Sequence, residues 1–185
     1  LAVQENILWA TETETSVLGK MIDHYYEIRA GIGINKSPEL YGAFPTDPYS
    51  HTPGNKGAQQ PGMTGQVKED ILNRWAELGL KVSDGTLTFD AEFLNPAEFN
   101  TETTPFEYFN LEGEPEKISI NQNELSFTFC QVPVIYSKSE TNNITVTYQN
   151  NTSETIEGKS LNSKISEALF KRTNQIKKIE VRQNF

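Results

Sequence analysis

A length of 185 residues allows one domain with a hydrophobic core, or two small ones. The formal net charge of −9 argues against a nucleic-acid partner, because phosphate backbones are bound through clusters of Lys and Arg. No apolar run approaches the roughly 18 residues that a transmembrane helix needs, so no membrane partner is expected. Cys130 is the only cysteine, which excludes an internal disulfide, and a buried, inert thiol is favoured over a nucleophile there.

The chain opens on Leu1, without a Met, a visible signal peptide or a helix N-cap. Its first residues resemble the interior of an amphipathic helix, so we expect a fragment or a processed chain. A cytoplasmic and a periplasmic location both stay open.

Residues 1–80 are predicted to form a helical segment around one long loop. Thr11 and Glu14 fit a capping box, in which each side chain satisfies a free backbone donor of the other residue. Apolar residues then recur at three- and four-residue spacing from Val17 to Ile28, and Gly31 and Gly33 are predicted to end this helix.

A second helix is predicted after the loop. Its apolar stripe consists of Val67, Ile71, Trp75 and Leu78. Gly79 is the predicted stop, and we place the domain boundary at Leu80.

From Val82 onward the apolar period changes to two, which is typical of strands, and Ser83-Asp84-Gly85 predicts a tight hairpin turn. One short helix is predicted over residues 161–170. The strand candidates are 86–89, 106–109, 117–120, 125–130, 132–136, 144–148 and 176–181. The pattern predicts an antiparallel β-sandwich over residues 81–185, and hence an α+β chain.

Charge is distributed unevenly along this second part. Residues 82–116 carry acidic side chains and neither Lys nor Arg, whereas residues 159–182 carry seven basic ones. The two segments either face each other or are both ordinary solvated surface, and the second interpretation is favoured.

The loop over residues 41–66 is too rich in Pro and Gly for a helix or a strand. Long irregular loops in compact domains are usually functional or disordered, and aromatic and amide side chains argue against disorder here. The loop runs into a predicted helix start, where free backbone N–H groups can hold an anion. Its candidate binding residues are Tyr49, His51, Gln59, Gln60, Thr64 and Gly65.

The order of elements around this loop resembles a known family. Asp47-Pro48-Tyr49, a Gly-rich stretch, Met63-Thr64-Gly65, a last helix and a Gly-containing turn into a β-domain follow one another. This order resembles the C-terminal end of (α/α)6-barrel glycoside enzymes, most closely the inverting glycoside phosphorylases of the cellobiose phosphorylase type. The resemblance in motifs covers residues 41–94, and elsewhere it is only architectural.

The resemblance implies a phosphate contact at Thr64 and Gly65, because the family's Thr-Gly pair contacts phosphate. The family also uses a Gln in this loop, but its spacing is not reproduced, so Gln59 and Gln60 are only candidates. This chain has no counterpart of the family's phosphate-binding His and Arg or of its catalytic Asp. Conversely, the family has no residue that matches His51.

The remaining loop residues keep two interpretations each. Asp47 is a weak candidate for a catalytic carboxylate, but an Asp before Pro commonly caps a turn, which is the favoured role. Tyr49 and Phe44 either stack on a sugar ring or anchor the loop. No His or Cys pair has metal-ligand spacing and no nucleotide fingerprint is present, so neither a metal nor a cofactor is expected.

A closed barrel of six hairpins needs about twelve helices, and residues 1–80 hold two or three. We therefore expect a C-terminal portion of a glycoside hydrolase or phosphorylase that contributes substrate or phosphate contacts and is not active alone, with the catalytic acid outside this chain. The sugar, the linkage and the choice between water and phosphate stay open. The alternative is a non-catalytic β-sandwich module that binds carbohydrate or a partner protein, with homodimers formed through an exposed helical face.

Overall fold

A computed structural model of the protein describes residues 15–32 and 64–184, with side chains over 19–27 and 71–184. The chain divides into two compact units, Leu1–Ala76 and Glu77–Phe185. It is a mixed α+β chain in which strands predominate after Glu77.

Helix α1 spans Thr15–Ile32 and contains the predicted apolar repeat. The helix passes the first predicted stop, Gly31, and is described through Ile32. The second predicted stop, Gly33, lies outside the described residues. The predicted capping box at Thr11 and Glu14 lies outside the described residues. None of the helices in the described ranges is both long and apolar enough to cross a membrane.

Helix α2 spans Thr64–Glu77 and ends at the predicted stop. Gly79 has a φ of +68°, and a Cβ on it would lie 2.1 Å from the backbone carbon of Asp90. The Asp90 N–H donates to the Gly79 carbonyl at 2.8 Å. Only glycine fits both the left-handed conformation and this close backbone approach.

Two hairpins precede the main sheet. Strands β1 (Leu80–Ser83) and β2 (Thr86–Phe89) are joined by Asp84 and Gly85, whose φ values of 50° and 73° match a type I′ turn and confirm the predicted hairpin. Strands β3 (Thr104–Phe109) and β4 (Pro115–Ile120) form the second hairpin.

The main sheet has five strands in the order β5-β6-β9-β7-β8. The strands are β5 (Glu124–Phe129), β6 (Val132–Lys138), β7 (Asn143–Tyr148), β8 (Ser153–Glu157) and β9 (Ile176–Gln183). Helix α3 (Ser163–Phe170) connects β8 to β9. The prediction of a wholly antiparallel arrangement is wrong at one pair, because β9 inserts between β6 and β7 and runs parallel to β6.

One face of this sheet forms the main core with the β1–β2 hairpin and α3. Its fully buried side chains include Leu87, Phe89, Val134, Tyr136, Ile144, Leu161, Leu169 and Ile179. Two side chains position α3: Asn162 caps it by accepting from the Ile165 N–H at 2.9 Å, and the buried Ser166 hydroxyl accepts from the Leu87 N–H at 3.1 Å.

The opposite face of the sheet is also covered at β6. Val134 and Tyr136 point to the main core, so Ile135 between them points to the opposite face, yet it is also buried. Tyr108 and Ile120 are likewise buried without being part of the main core. Burial on both faces explains why the β6 sequence is nearly continuous in apolar residues and does not alternate.

Candidate functional site

The residues predicted to bind ligand fall mostly outside the described ranges. Those outside are Asp47, Tyr49, His51, Gln59 and Gln60, together with Phe44. Thr64 and Gly65 are the first two residues of α2, so the backbone places them where helical N–H groups have no partner within the helix.

The described residues contain a polar cavity at one end of the five-stranded sheet. It lies where the tip of the β3–β4 hairpin, the β5–β6 turn, the β7–β8 turn and the loop into β9 come together. Its volume is about 30 Å³, enough for one or two groups the size of a water molecule. Its polar lining residues are Tyr108, Asn110, Glu116, Gln131, Gln149, Asn174 and Lys177.

Asn110 shapes the hairpin tip beside this cavity. Its Oδ1 accepts from the backbone N–H groups of Glu112 and Glu114 at 2.9 and 3.0 Å, as expected for an Asn that initiates a turn. Its Nδ2 donates to Oε1 of Glu116 at 2.8 Å. The turn and the carboxylate are therefore held by one side chain.

The Glu116 carboxylate is one of two charged groups in the cavity lining, the other being the Lys177 ammonium. Hydrogen bonds from Asn110 and then from the Tyr108 hydroxyl, with the charge of Lys177, lower the pKa of Glu116. Burial, followed by the hydrogen bond and charge of Glu116, raises the pKa of Tyr108 to about 12. At neutral pH the site thus holds an ionised carboxylate and a neutral phenol 2.8 Å apart.

The β5–β6 turn places Gln131 in the cavity wall. Cys130 and Gln131 have φ values of 51° and 64°, so they form a two-residue turn closed by the Phe129–Val132 pair. The predicted strand 125–130 was therefore wrong at Cys130, which lies in the turn. Gln131 Nε2 donates to the Asn110 carbonyl at 3.2 Å and so links the turn to the hairpin tip.

The Cys130 thiol is only partly buried, which corrects the expectation of a buried side chain. Burial raises the pKa of this thiol, while the neighbouring charge of Arg172 opposes the shift. A raised pKa keeps the thiol protonated and weakly nucleophilic, in agreement with the favoured inert role.

The third wall comes from the turn after β7 and the loop before β9. Gln149 Nε2 donates to Asn174 Oδ1 at 3.2 Å, and Asn174 Nδ2 donates to Glu112 Oε1 at 3.1 Å. Lys177 Nζ donates to Asn151 Oδ1 at 2.9 Å. These bonds connect three segments that are far apart in the sequence: the β7–β8 turn, the start of β9 with the loop before it, and the tip of the β3–β4 hairpin.

Left-handed backbone conformations concentrate at this end of the sheet. Five of the seven non-glycine residues with positive φ in the described ranges lie here, namely Cys130, Gln131, Asn151, Arg172 and Asn174. Such residues cost on the order of 1–3 kcal/mol each and are often found at ligand sites.

The acidic and basic segments identified in the sequence meet at two places. Lys159 bonds Asp90 at 2.5 Å and lies 3.4 Å from Glu92. Lys177 contributes electrostatically at Glu116. The favoured interpretation, solvated surface for both segments, is therefore wrong for the Lys159–Asp90 pair, whereas Glu116 and Lys177 are exposed, as that interpretation predicts.

Among residues 15–32 and 64–184 no group of three or more His, Cys, Asp or Glu is arranged to hold a metal ion. Comparison with models of known protein families and with curated protein sequences gives no match. The glycoside-enzyme resemblance accordingly stays a prediction.

Sequence reasoning did not identify the cavity. Its lining residues lie at the ends of different strands and are brought together by the strand order β5-β6-β9-β7-β8. The one usable signal is a side-chain amide at each strand end, as at Asn110, Gln131 and Gln149.

Proposed function

We propose that this chain is the C-terminal portion of a glycoside hydrolase or phosphorylase and supplies substrate or phosphate contacts from residues 41–66. The observation that carries the proposal is the order of elements that the resemblance implies. Helix α2 begins at Thr64 and ends at Glu77, Gly79 turns the chain, and a β-rich unit follows. In this proposal the helical segment 1–80 is part of an incomplete (α/α) barrel and residues 81–185 are a β-sandwich.

The chemistry assigned to the helix start follows from its free backbone donors. N–H groups of the first turn, aided by the Thr64 hydroxyl, suit a phosphate oxygen or a sugar hydroxyl, and Gly65 lets a ligand approach the backbone closely. Tyr49 and His51, with Gln59 and Gln60, would add ring stacking and hydrogen bonds at the sugar.

The catalytic acid is proposed to lie outside this chain. Inverting enzymes use two carboxyl groups on opposite faces of the sugar, one of them a general acid whose pKa is raised. In the described residues hydrogen bonds lower the pKa of Glu116 and of Glu167, which is the wrong direction for a general acid. Neither of these two carboxylates therefore has the pKa shift that a general acid needs.

The proposal is tested with the protein expressed from its whole reading frame. Cleavage of glucose-type disaccharides is measured with and without phosphate, and Thr64→Ala is compared with the exposed control Thr101→Ala. In the phosphorylase version Thr64→Ala raises the KM for phosphate about tenfold or more, since one charge-assisted hydrogen bond contributes roughly 1.5–3 kcal/mol. The KM for the sugar stays unchanged.

Absence of disaccharide and phosphate binding in calorimetric titrations of that protein would contradict the proposal. Equal phosphate dependence in the two Thr variants would contradict the role of Thr64.

A second candidate is a non-catalytic module that binds carbohydrate or a partner protein. The β-unit has its own core and a polar cavity, and these features favour it. An upstream frame with about ten further helices would favour the enzyme, and a frame that begins just before Leu1 would favour the module.

The module version includes association through the exposed apolar face of α2. Ile71 and Leu72 are each 48% exposed and Trp75 is 42% exposed. A homodimer is the expected result in light scattering, and a strict monomer would count against this version.

A further inference from the structure

We propose that the cavity beside Glu116 binds a hydroxyl group of a neutral saccharide, which gives the unit Glu77–Phe185 a carbohydrate site of its own. This inference does not rest on the proposed glycoside chemistry, because it uses only the hydrogen-bonding groups around this cavity.

The size of the cavity sets the size of the inserted group. A volume of about 30 Å³ admits one hydroxyl or hydroxymethyl group and not a whole ring. Gln149, Asn174 and Lys177 on the rim are exposed, so the rest of a sugar can lie over the mouth in contact with their side chains.

The side-chain amides around the cavity have defined orientations. Carboxylate and carbonyl oxygens only accept hydrogen bonds, so Asn174 must direct Nδ2 to Glu112, and Gln131 must direct Nε2 to the Asn110 carbonyl. Asn174 Oδ1 is then an acceptor, and Gln149 must supply Nε2 to it. Oε1 of Gln131 and Oε1 of Gln149 thereby remain as acceptors, and neither has a donor among the described residues.

The charges decide the chemical class of the ligand. The residues that line the cavity include Gln131 and Gln149, whose amide oxygens are acceptors, the Glu116 carboxylate, and Lys177, whose ammonium is a cationic donor. An anion would be repelled by Glu116 and a cation by Lys177, so the lining favours neither sign of charge. A hydroxyl group both donates and accepts, so it can give its hydrogen to a Gln oxygen while it accepts from Lys177.

The walls of the cavity are held by hydrogen bonds within the protein. The left-handed turn at Cys130 and Gln131 and the bonds through Asn110 and Asn174 hold the acceptors in place. Such preorganisation lowers the entropy that binding must overcome.

The test is a titration of the ¹⁵N-labelled full chain with glucose, mannose and galactose, followed by NMR at the side-chain amides of Gln131 and Gln149. At least one hexose should give saturable shifts, with a dissociation constant on the order of 1–10 mM for a site of a few hydrogen bonds. Gln149→Ala and Lys177→Met should each weaken binding by about fivefold or more. The matched surface controls Gln122→Ala and Lys164→Met should leave binding unchanged.

Three results would overturn the proposal: no saturable shift up to about 100 mM of any hexose, equal binding in all four variants, or saturation by inorganic phosphate or methylammonium without any response to the hexoses. The phosphate dependence of Thr64→Ala is unaffected by any of them, so failure here is distinguishable from failure of the proposed function.

Discussion

The two ends of the β-unit are built differently. At the first, here called the anchor end, Gly79 bonds Asp90, Tyr136 bonds the Leu78 carbonyl at 2.6 Å, and Lys159 bonds Asp90. At the cavity end, defined by the residues that line the cavity, amides and charged groups surround an open space in left-handed turns. The bonds at the anchor end stabilise the fold, whereas the cavity end combines backbone conformations that cost free energy with exposed polar side chains.

Two turns of equal length show this difference directly. Asp84-Gly85 and Cys130-Gln131 both join antiparallel strands with positive φ at both positions. The first pair has the residues that a type I′ turn prefers, and the second has neither Gly nor Asn. A less suitable sequence in the same geometry indicates that the side chains at residues 130 and 131 have a role besides turning the chain.

The largest expected effect is at the anchor end, for Gly79→Ala. A left-handed alanine costs roughly 1–2 kcal/mol and overpacking a further 1–3 kcal/mol, so we expect a loss on the order of 3 kcal/mol or more in urea unfolding. Gly85→Ala is the matched control, because its φ is +73° but a Cβ there meets nothing within 4 Å. Equal losses in the two variants would contradict the close-approach argument.

Tyr136→Phe should have the next largest effect. It removes the buried hydroxyl that donates to the Leu78 carbonyl and leaves that oxygen without this donor. The free energy of unfolding should fall by about 1–3 kcal/mol. Tyr148→Phe, which removes an exposed hydroxyl bonded to Glu154, is the comparison, and an equally large loss in that variant would contradict the account.

Gln183 is the exception at the anchor end, and its replacement should stabilise the protein. The side chain is 1% exposed, and neither Oε1 nor Nε2 has a hydrogen-bond partner among the described residues. Gln183→Met removes the desolvation cost at nearly constant volume, so thermal and urea unfolding should show a gain of about 1–2 kcal/mol. A loss of stability would mean that the amide is satisfied in solution.

Glu116→Gln should give the smallest effect, seen only as a change in pH dependence. The pKa of Glu116 is lowered in the folded state from its ordinary value of 4.5. The ionised carboxylate therefore adds to the free energy of unfolding above pH 4.5, and this addition is lost as the pH falls through the folded pKa. The wild type should therefore lose more stability than the variant below about pH 4.5 in urea titrations. A difference between the two that does not change with pH would contradict this sign.

Much of the fold could be predicted because local signals were strong. Asp84-Gly85 predicts the turn between β1 and β2. Alternating apolar residues predict β2, β7 and β9, and apolar residues at helical spacing predict α3. Strand β8 was not predicted because Ser153–Glu157 contains one apolar residue, Ile156. The parallel pair β6–β9 was not predictable, because side chains alternate with a period of two in either strand direction.

The cavity could not be predicted for a different reason. Its groups come from turns whose sequences carry no shared motif, and Cys130 and Gln131 lack the Gly or Asn that would reveal a left-handed turn. The predicted site at 41–66 rested on composition and resemblance, and of its members only Thr64 and Gly65 lie within the described residues, at the helix start predicted for them.

The most direct test of the difference between the two ends is Gln131→Gly, measured for both stability and hexose binding in one preparation. Glycine suits the φ of +64°, which offsets the lost bond to Asn110. The account predicts an unfolding free energy equal to or above that of the wild type, together with loss of the saturable hexose shifts at Gln149. A less stable variant that still binds hexose as the wild type does would show that Gln131 serves the fold and not a ligand.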